Sequence, residues 1–222
     1  MNNVKLIIFD LDGTLLDTGR GILKCIVSTL EKMGFQIPDE ETCKSFIGPP
    51  LKKRFQELFN TDNATADDFV TKFREDYGKG DIFLADRYEG MNECLEYLHK
   101  HYSLAVATNK REDLAIKLLE KFGMASHFKA IYGSCDLIAT TKKQILEKTA
   151  EQQSVPFLQC LVIGDSSNDA DAATELGMKF IGVTYGYGFT CETDLSPYPY
   201  VASIKSPKDL KRIIKEKENE LS

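Results

Sequence analysis

Two textures alternate along the chain. Short, continuous apolar runs stand at Lys5–Phe9, Leu104–Ala107, Leu161–Ile163 and Phe180–Val183, with weaker ones at Ala130–Tyr132 and Tyr200–Ala202. Unbroken rather than alternating apolarity predicts strands covered on both faces, as in a parallel sheet. Between the runs the apolar period lengthens to that of a helix: Leu114, Leu118 and Phe122 share one face, as do Ile145 with Thr149, and Leu210 with Ile213 and Ile214. Strand and helix in alternation predict an α/β fold with a mostly parallel sheet.

One segment breaks the rhythm. From Thr18 to Ala85 no run reads convincingly as a strand, and three helical stripes follow one another: Ile22, Ile26 and Leu30, closed by Gly34; Leu51, Phe55 and Leu58, after the Gly48-Pro49-Pro50 breaker; and Phe69, Phe73 and Tyr77, ending near Gly78 and Gly80. So much helix is too long for an ordinary connection after a first strand. It predicts a helical domain over residues 18–85, inserted into a core formed by 1–17 and 86–222. The charged tail after Ile214 reads as a solvated helix end.

Composition narrows the function classes. The 222 residues carry 28 Lys+Arg and 34 Asp+Glu, a net charge of −6, with 42% hydrophobic residues. That is the balance of a globular protein, and it argues against a nucleic-acid binder, which needs a basic face. Six cysteines at 25, 43, 94, 135, 160 and 191 form no close pair, so neither a zinc clamp nor a redox couple is expected, but free thiols in a reducing compartment. Charges at Lys5, Asp10 and Asp12 interrupt any leader-like apolar region, and no run approaches the roughly 20 residues of a membrane span. A cytoplasmic protein without a membrane partner is expected, a monomer by default.

The chemistry gathers just after the apolar runs, where ligands bind in parallel α/β sheets. After the first comes Asp10-Leu-Asp12-Gly-Thr14, after the second Thr108-Asn109-Lys110, and after Leu161–Ile163 comes Gly164-Asp165-Ser-Ser-Asn168-Asp169. Asp10 and Asp12, two apart, would face the same side of a continuing strand, and Gly13 lets the chain turn so that amides beside Thr14 point at an anion. Close carboxylates repel each other by about 1–4 kcal/mol per pair. A hard divalent cation offsets this, and an all-oxygen donor set without His or Cys favours Mg2+ over zinc.

Asp10-Leu-Asp12-Gly-Thr14-Leu-Leu-Asp17-Thr18 resembles the first motif of the haloacid dehalogenase-like superfamily of phosphohydrolases. Thr108-Asn109, a basic residue in Thr141-Lys142-Lys143, and Gly164-Asp165-Ser-Ser-Asn-Asp169 resemble its second, third and fourth motifs, in order. The chain is most similar to the phosphoglycolate phosphatase-like branch, which carries a helical cap after the first motif. The resemblance implies a Rossmann-like core and Mg2+-dependent transfer through an aspartyl-phosphate to water, acting on a small phosphorylated metabolite with phosphoglycolate the leading candidate. Asp10 would be the nucleophile. Asp12 would act as general acid and then general base, so its carboxyl must carry a proton in the first step. The metal set would be Asp10, the Asp12 backbone carbonyl, Asp165 and Asp169. Thr108 and Asn109 would hold phosphoryl oxygens.

The lysine stays open. Lys142 is the choice because it precedes the stripe beginning near Ile145, but the motif lysine is often followed by Pro, and here Lys143 follows. Phe46-Ile-Gly48-Pro49-Pro50 resembles the cap loop facing the active site, Arg54 is a candidate for a second anionic group, Gly19, Gly78 and Gly80 are candidate hinges, and Tyr185-Gly186-Tyr187-Gly188 is expected to line the rim. A β-phosphoglucomutase-like mutase and a non-catalytic protein of the same fold are the alternatives; a dehalogenase is disfavoured by Asp12, and a receiver module by the helical insertion.

Overall fold

In the computed structural model, which describes residues 3–135 and 140–219, the apolar runs become one six-stranded parallel sheet. Its strands are β1 (Leu6–Phe9), β4 (Ser103–Arg111), β5 (Ala130–Ser134), β6 (Cys160–Gly164), β7 (Lys179–Val183) and β8 (Ala202–Ile204), in the spatial order β5-β4-β1-β6-β7-β8. β1 is central, in register with Leu104–Val106 on one side and Leu161–Ile163 on the other. Alternate β1 side chains enter two apolar layers. Leu6 and Ile8 pack with Ile145 and Leu146 of α7 (Lys142–Gln152) and with Ala170 and Ala173 of α8 (Ser167–Glu175). Ile7 and Phe9 join the larger cluster, with Leu95 of α5 (Met91–His101), Leu118 of α6 (Glu112–Lys121) and Leu210 of α9 (Pro207–Asn219). Helices on both faces explain why the strands lack polar alternation. The last strand lies two residues beyond the Tyr200–Ala202 run, because Ala202 pairs with Ile181 and Ile204 with Val183.

Between β1 and β4 the chain forms α1 (Gly19–Lys32), α2 (Glu40–Lys44), α3 (Leu51–Phe59) and α4 (Asn63–Gly78). The three stripes turn inward: Ile22, Ile26 and Leu30, then Phe55, then Phe69, Phe73 and Tyr77 are buried, and the Phe55 and Phe69 rings stack with centroids 4.2 Å apart. Gly34, at φ +74°, follows α1 in the left-handed conformation that ends helices. A ribbon too short to show in sequence brackets the excursion: β2 (Leu16–Asp17) pairs antiparallel with β3 (Asp86–Arg87).

Because strands are added to opposite sides of β1, its carboxyl end is the topological switch point, where a crevice opens. Among the described residues, no helix is long and apolar enough to cross a membrane.

Candidate active site

The ladder between β1 and β6 runs one residue beyond β1, with Asp10 N–H donating to the Ile163 carbonyl at 2.9 Å. The chain then curls back: the Leu15 N–H reaches the Leu11 carbonyl at 2.9 Å, and Gly13 takes φ +81°. A β-carbon on Gly13 would stand 2.3 Å from an Asp165 carboxylate oxygen, so only glycine fits between the two strand ends.

Asp10, Asp165 and Asp169 are all buried, and one carboxylate oxygen from each lies within 4.8 Å of the others. Asp169, in the first turn of α8, accepts from the Ser166 hydroxyl at 2.7 Å through Oδ2, which aims Oδ1 at Lys142. Asp165 accepts from the backbone N–H groups of Tyr187 at 2.7 Å and Gly188 at 3.3 Å. Burial, reinforced by Asp10 and Asp169, pushes the Asp165 carboxyl up to about 8 despite those two donors. Asp10 is likewise shifted upward by burial, against the pull of Lys142. With all three groups ionised, the single Lys142 ammonium, paired with Asp10 and Asp169, would leave negative charge uncompensated. The donors are all oxygen, so the cluster fits a hard divalent cation such as Mg2+.

Lys142 occupies the first position of α7, where Thr141 and Gln144 form a capping box. Its Nζ lies 2.5 Å from Asp10 Oδ1 and 2.7 Å from Asp169 Oδ1. Burial alone would depress this lysine, but the two carboxylates hold its ammonium well above the usual range. Lys143 turns outward to Glu175, at 3.1 Å. Of the two lysines, Lys142 is the one the structure brings to the cluster.

The Asp12 side chain lies apart from the three carboxylates and is held from two sides. Lys110 Nζ approaches its oxygens at 2.8 and 2.9 Å, and the Thr18 hydroxyl donates to Oδ1 at 2.6 Å. Asp12, together with Tyr77, raises Lys110 above its ordinary range against the opposing effect of burial. The sequence assigns Lys110 no role; its one signal there is its place directly after Thr108-Asn109. Thr108 is buried at the floor of the cleft, and Asn109 donates its amide to the Gly48 carbonyl at 3.2 Å, joining β4 to the loop before α3.

Asp10, Asp12, Thr108, Asn109, Lys110, Lys142 and Asp169 border a cavity of about 610 Å3 whose wall also includes Phe46–Lys53, Arg74 and Arg111. Two expectations need correction. Arg54 does not line this cavity: its guanidinium is drawn to the Ser45 hydroxyl at 2.8 Å and towards Glu57 at 3.4 Å, while Lys52, paired with Asp67 at 2.7 Å, and Lys53 contribute to the wall. The Tyr185–Gly188 loop does not form the rim. It passes behind Asp165, where a β-carbon on Gly186 would stand 2.4 Å from the Asp165 carboxylate.

Known proteins resemble the chain over most of its length. The pattern of the haloacid dehalogenase-like hydrolase family matches residues 7–183. The chain is 35% identical to a 5'-nucleotidase of Pseudomonas aeruginosa over 184 residues, covering 82% of this chain and 83% of that one. It is 29% identical to the phosphoglycolate phosphatase of Vibrio parahaemolyticus, covering 83% and 86%. The crystal structure of a predicted phosphatase from Clostridium acetobutylicum superposes with a TM-score of 0.90 at 32% identity, covering 96% of this chain and 99% of that one.

Proposed function

The chain belongs to the haloacid dehalogenase-like hydrolase family, and from that premise we propose that it is a Mg2+-dependent phosphatase cleaving a small phosphate monoester through an aspartyl-phosphate on Asp10. The observation that carries this reading is the meeting of Asp10, Asp165 and Asp169 within 4.8 Å, with Lys142 bonded to two of them, at the switch point of the sheet.

Asp10, Asp165 and Asp169, with the Asp12 backbone carbonyl, would hold the cation. When bound, Mg2+ would supply positive charge that lets an anionic nucleophile approach a phosphate dianion. An Asp10 oxygen attacks phosphorus as the bond to the leaving oxygen breaks, and Lys142 holds the attacking carboxylate in place. Asp12 gives its proton to the leaving alkoxide. In the second step Asp12 takes a proton from water, which attacks phosphorus and releases phosphate from Asp10. Thr108 and Asn109 offer a hydroxyl and an amide to the phosphoryl oxygens, Asn109 by giving up the Gly48 carbonyl.

Residues 18–85 act as a cap over the core formed by 1–17 and 86–222, pivoting at the β2–β3 ribbon and excluding bulk water when closed. The relatives named above are a phosphoglycolate phosphatase and a 5'-nucleotidase, both names denoting phosphate esters. Lys52 and Arg111 along the cavity already pair with Asp67 and Asp113, so a second negative charge on the substrate, as phosphoglycolate has, would be met by exchange of these partners. Six free thiols suit a cytoplasmic location. The test is phosphate release from a panel of phosphate esters with Mg2+ and with chelator, for the parent protein and Asp10→Asn. Metal-dependent turnover that Asp10→Asn abolishes is expected; turnover unchanged in that variant would overturn the proposal.

A further inference from the structure

Lys110 is buried beside Asp12 and accounts for none of the roles assigned above. It makes two contacts of nearly equal length, 2.8 and 2.9 Å, to the two oxygens of one carboxylate, and its side chain is 6% exposed. The same ammonium sits 4.9 Å from the centroid of the Tyr77 ring and 3.4 Å from the Tyr77 hydroxyl, on α4. Thr18, just before α1, supplies the third contact to Asp12 and makes no cap bond to its own helix. Lys110 and Thr18 therefore fix the orientation of the Asp12 carboxyl group, and Tyr77 steadies Lys110 from the helical segment.

Resting on the phosphatase reading, we infer that Lys110 is a positioning residue that holds Asp12 as the general base for the second step, the opening of the aspartyl-phosphate by water. A carboxylate gripped at both oxygens presents its remaining lone pairs in a fixed direction, and general-base catalysis requires that direction to meet the attacking water. In the first step an aryl phosphate needs little help from Asp12, because its phenolate leaves without a proton.

The two steps can thus be separated with p-nitrophenyl phosphate and Mg2+. In Lys110→Met the initial release of nitrophenolate keeps its rate within about twofold, whereas steady-state turnover falls about tenfold or more and labelled phosphoenzyme accumulates. Lys110→Arg, which retains the cation, recovers part of the steady-state rate, and it carries the same comparison if the Met variant does not fold. Equal loss in both phases, or no loss in either, overturns the inference and leaves the phosphatase reading standing. Parent protein inert toward this ester and the wider panel overturns the phosphatase reading and the inference with it.

Discussion

Lys142 Nζ stands between Asp10 and Asp169, 2.5 Å from one carboxylate and 2.7 Å from the other, and the three side chains are almost wholly enclosed. Removing a buried partner leaves charge without compensation, which costs about 3–5 kcal/mol. Lys142→Met should therefore lower the free energy of unfolding by about that amount in metal-free buffer, and abolish phosphate release. Lys143→Ala removes only a surface pair with Glu175 and should stay within about 1 kcal/mol of the parent, with turnover intact. Denaturant titration and phosphate assay of the two variants decide it; the reverse order of effects would exchange the lysines.

A second prediction concerns pH. Burial raises the Asp165 carboxyl to about 8, against an ordinary value near 4 in the unfolded chain. Across that window the metal-free folded protein binds more protons than the unfolded chain, so this group's contribution is fully present below about pH 4 and is lost as pH rises through about 8. Exposed carboxylates with lowered values, such as Asp39 and Asp62, act in the opposite sense but finish titrating in the acid range. The midpoint of thermal unfolding in chelator should therefore fall between about pH 5.5 and 8. Mg2+ competes with those protons, so the rise in midpoint on its addition should be larger at pH 8 than at pH 5.5. An equal rise at both would contradict the assignment.

The sheet and its helices were readable because buried parallel strands leave uninterrupted apolar runs such as Leu161–Ile163, and amphipathic helices leave stripes such as Ile22, Ile26 and Leu30. Asp10 and Asp165 stood out because each follows such a run. What escaped notice depends on contacts between distant residues. Lys110 looks like any solvated lysine until the fold brings Asp12, 98 positions earlier, beneath it. The two-residue β2 and β3 strands are too short to carry any period. Arg54 shares a helix with Lys52 and Lys53, and its bond to Ser45, nine positions earlier, is a contact the helical period does not reveal.

The loop behind Asp165 supplies a steric prediction. At Gly186 a β-carbon would lie 2.4 Å from Asp165 Oδ2 and 2.4 Å from the Gly13 carbonyl, so even alanine forces one of these groups to move. The Asp165 side chain yields more readily than the Gly13 backbone, and on the proposed reading metal affinity should drop by about tenfold to a hundredfold, the usual consequence of disturbing the support of a metal ligand. Gly186→Ala should need correspondingly more Mg2+ for half-maximal turnover and for half-maximal thermal stabilisation. An unchanged Mg2+ requirement would show that Asp165 is not held by this loop.

Tyr187 separates the support of Asp165 from the support of the junction between β2 and α1. Its backbone N–H donates to Asp165, whereas its hydroxyl donates to Asp17 at 2.6 Å and accepts from the Gly19 N–H at 2.6 Å, where the chain leaves β2 for α1. Tyr187→Phe preserves the first contact and removes the other two. The Gly19 N–H keeps its bond to Asp17 Oδ1 at 3.2 Å, so the loss should cost about 1 kcal/mol. It should also loosen the junction, so that limited proteolysis near Asp17–Gly21 becomes faster while the Mg2+ dependence stays as in the parent. Gly186→Ala should show the opposite pattern, with altered Mg2+ dependence and unchanged cleavage at the junction. If Tyr187→Phe shifts the Mg2+ requirement as strongly as Gly186→Ala does, the hydroxyl and the backbone act on one site, and the β2–α1 junction is not independent of the carboxylate cluster.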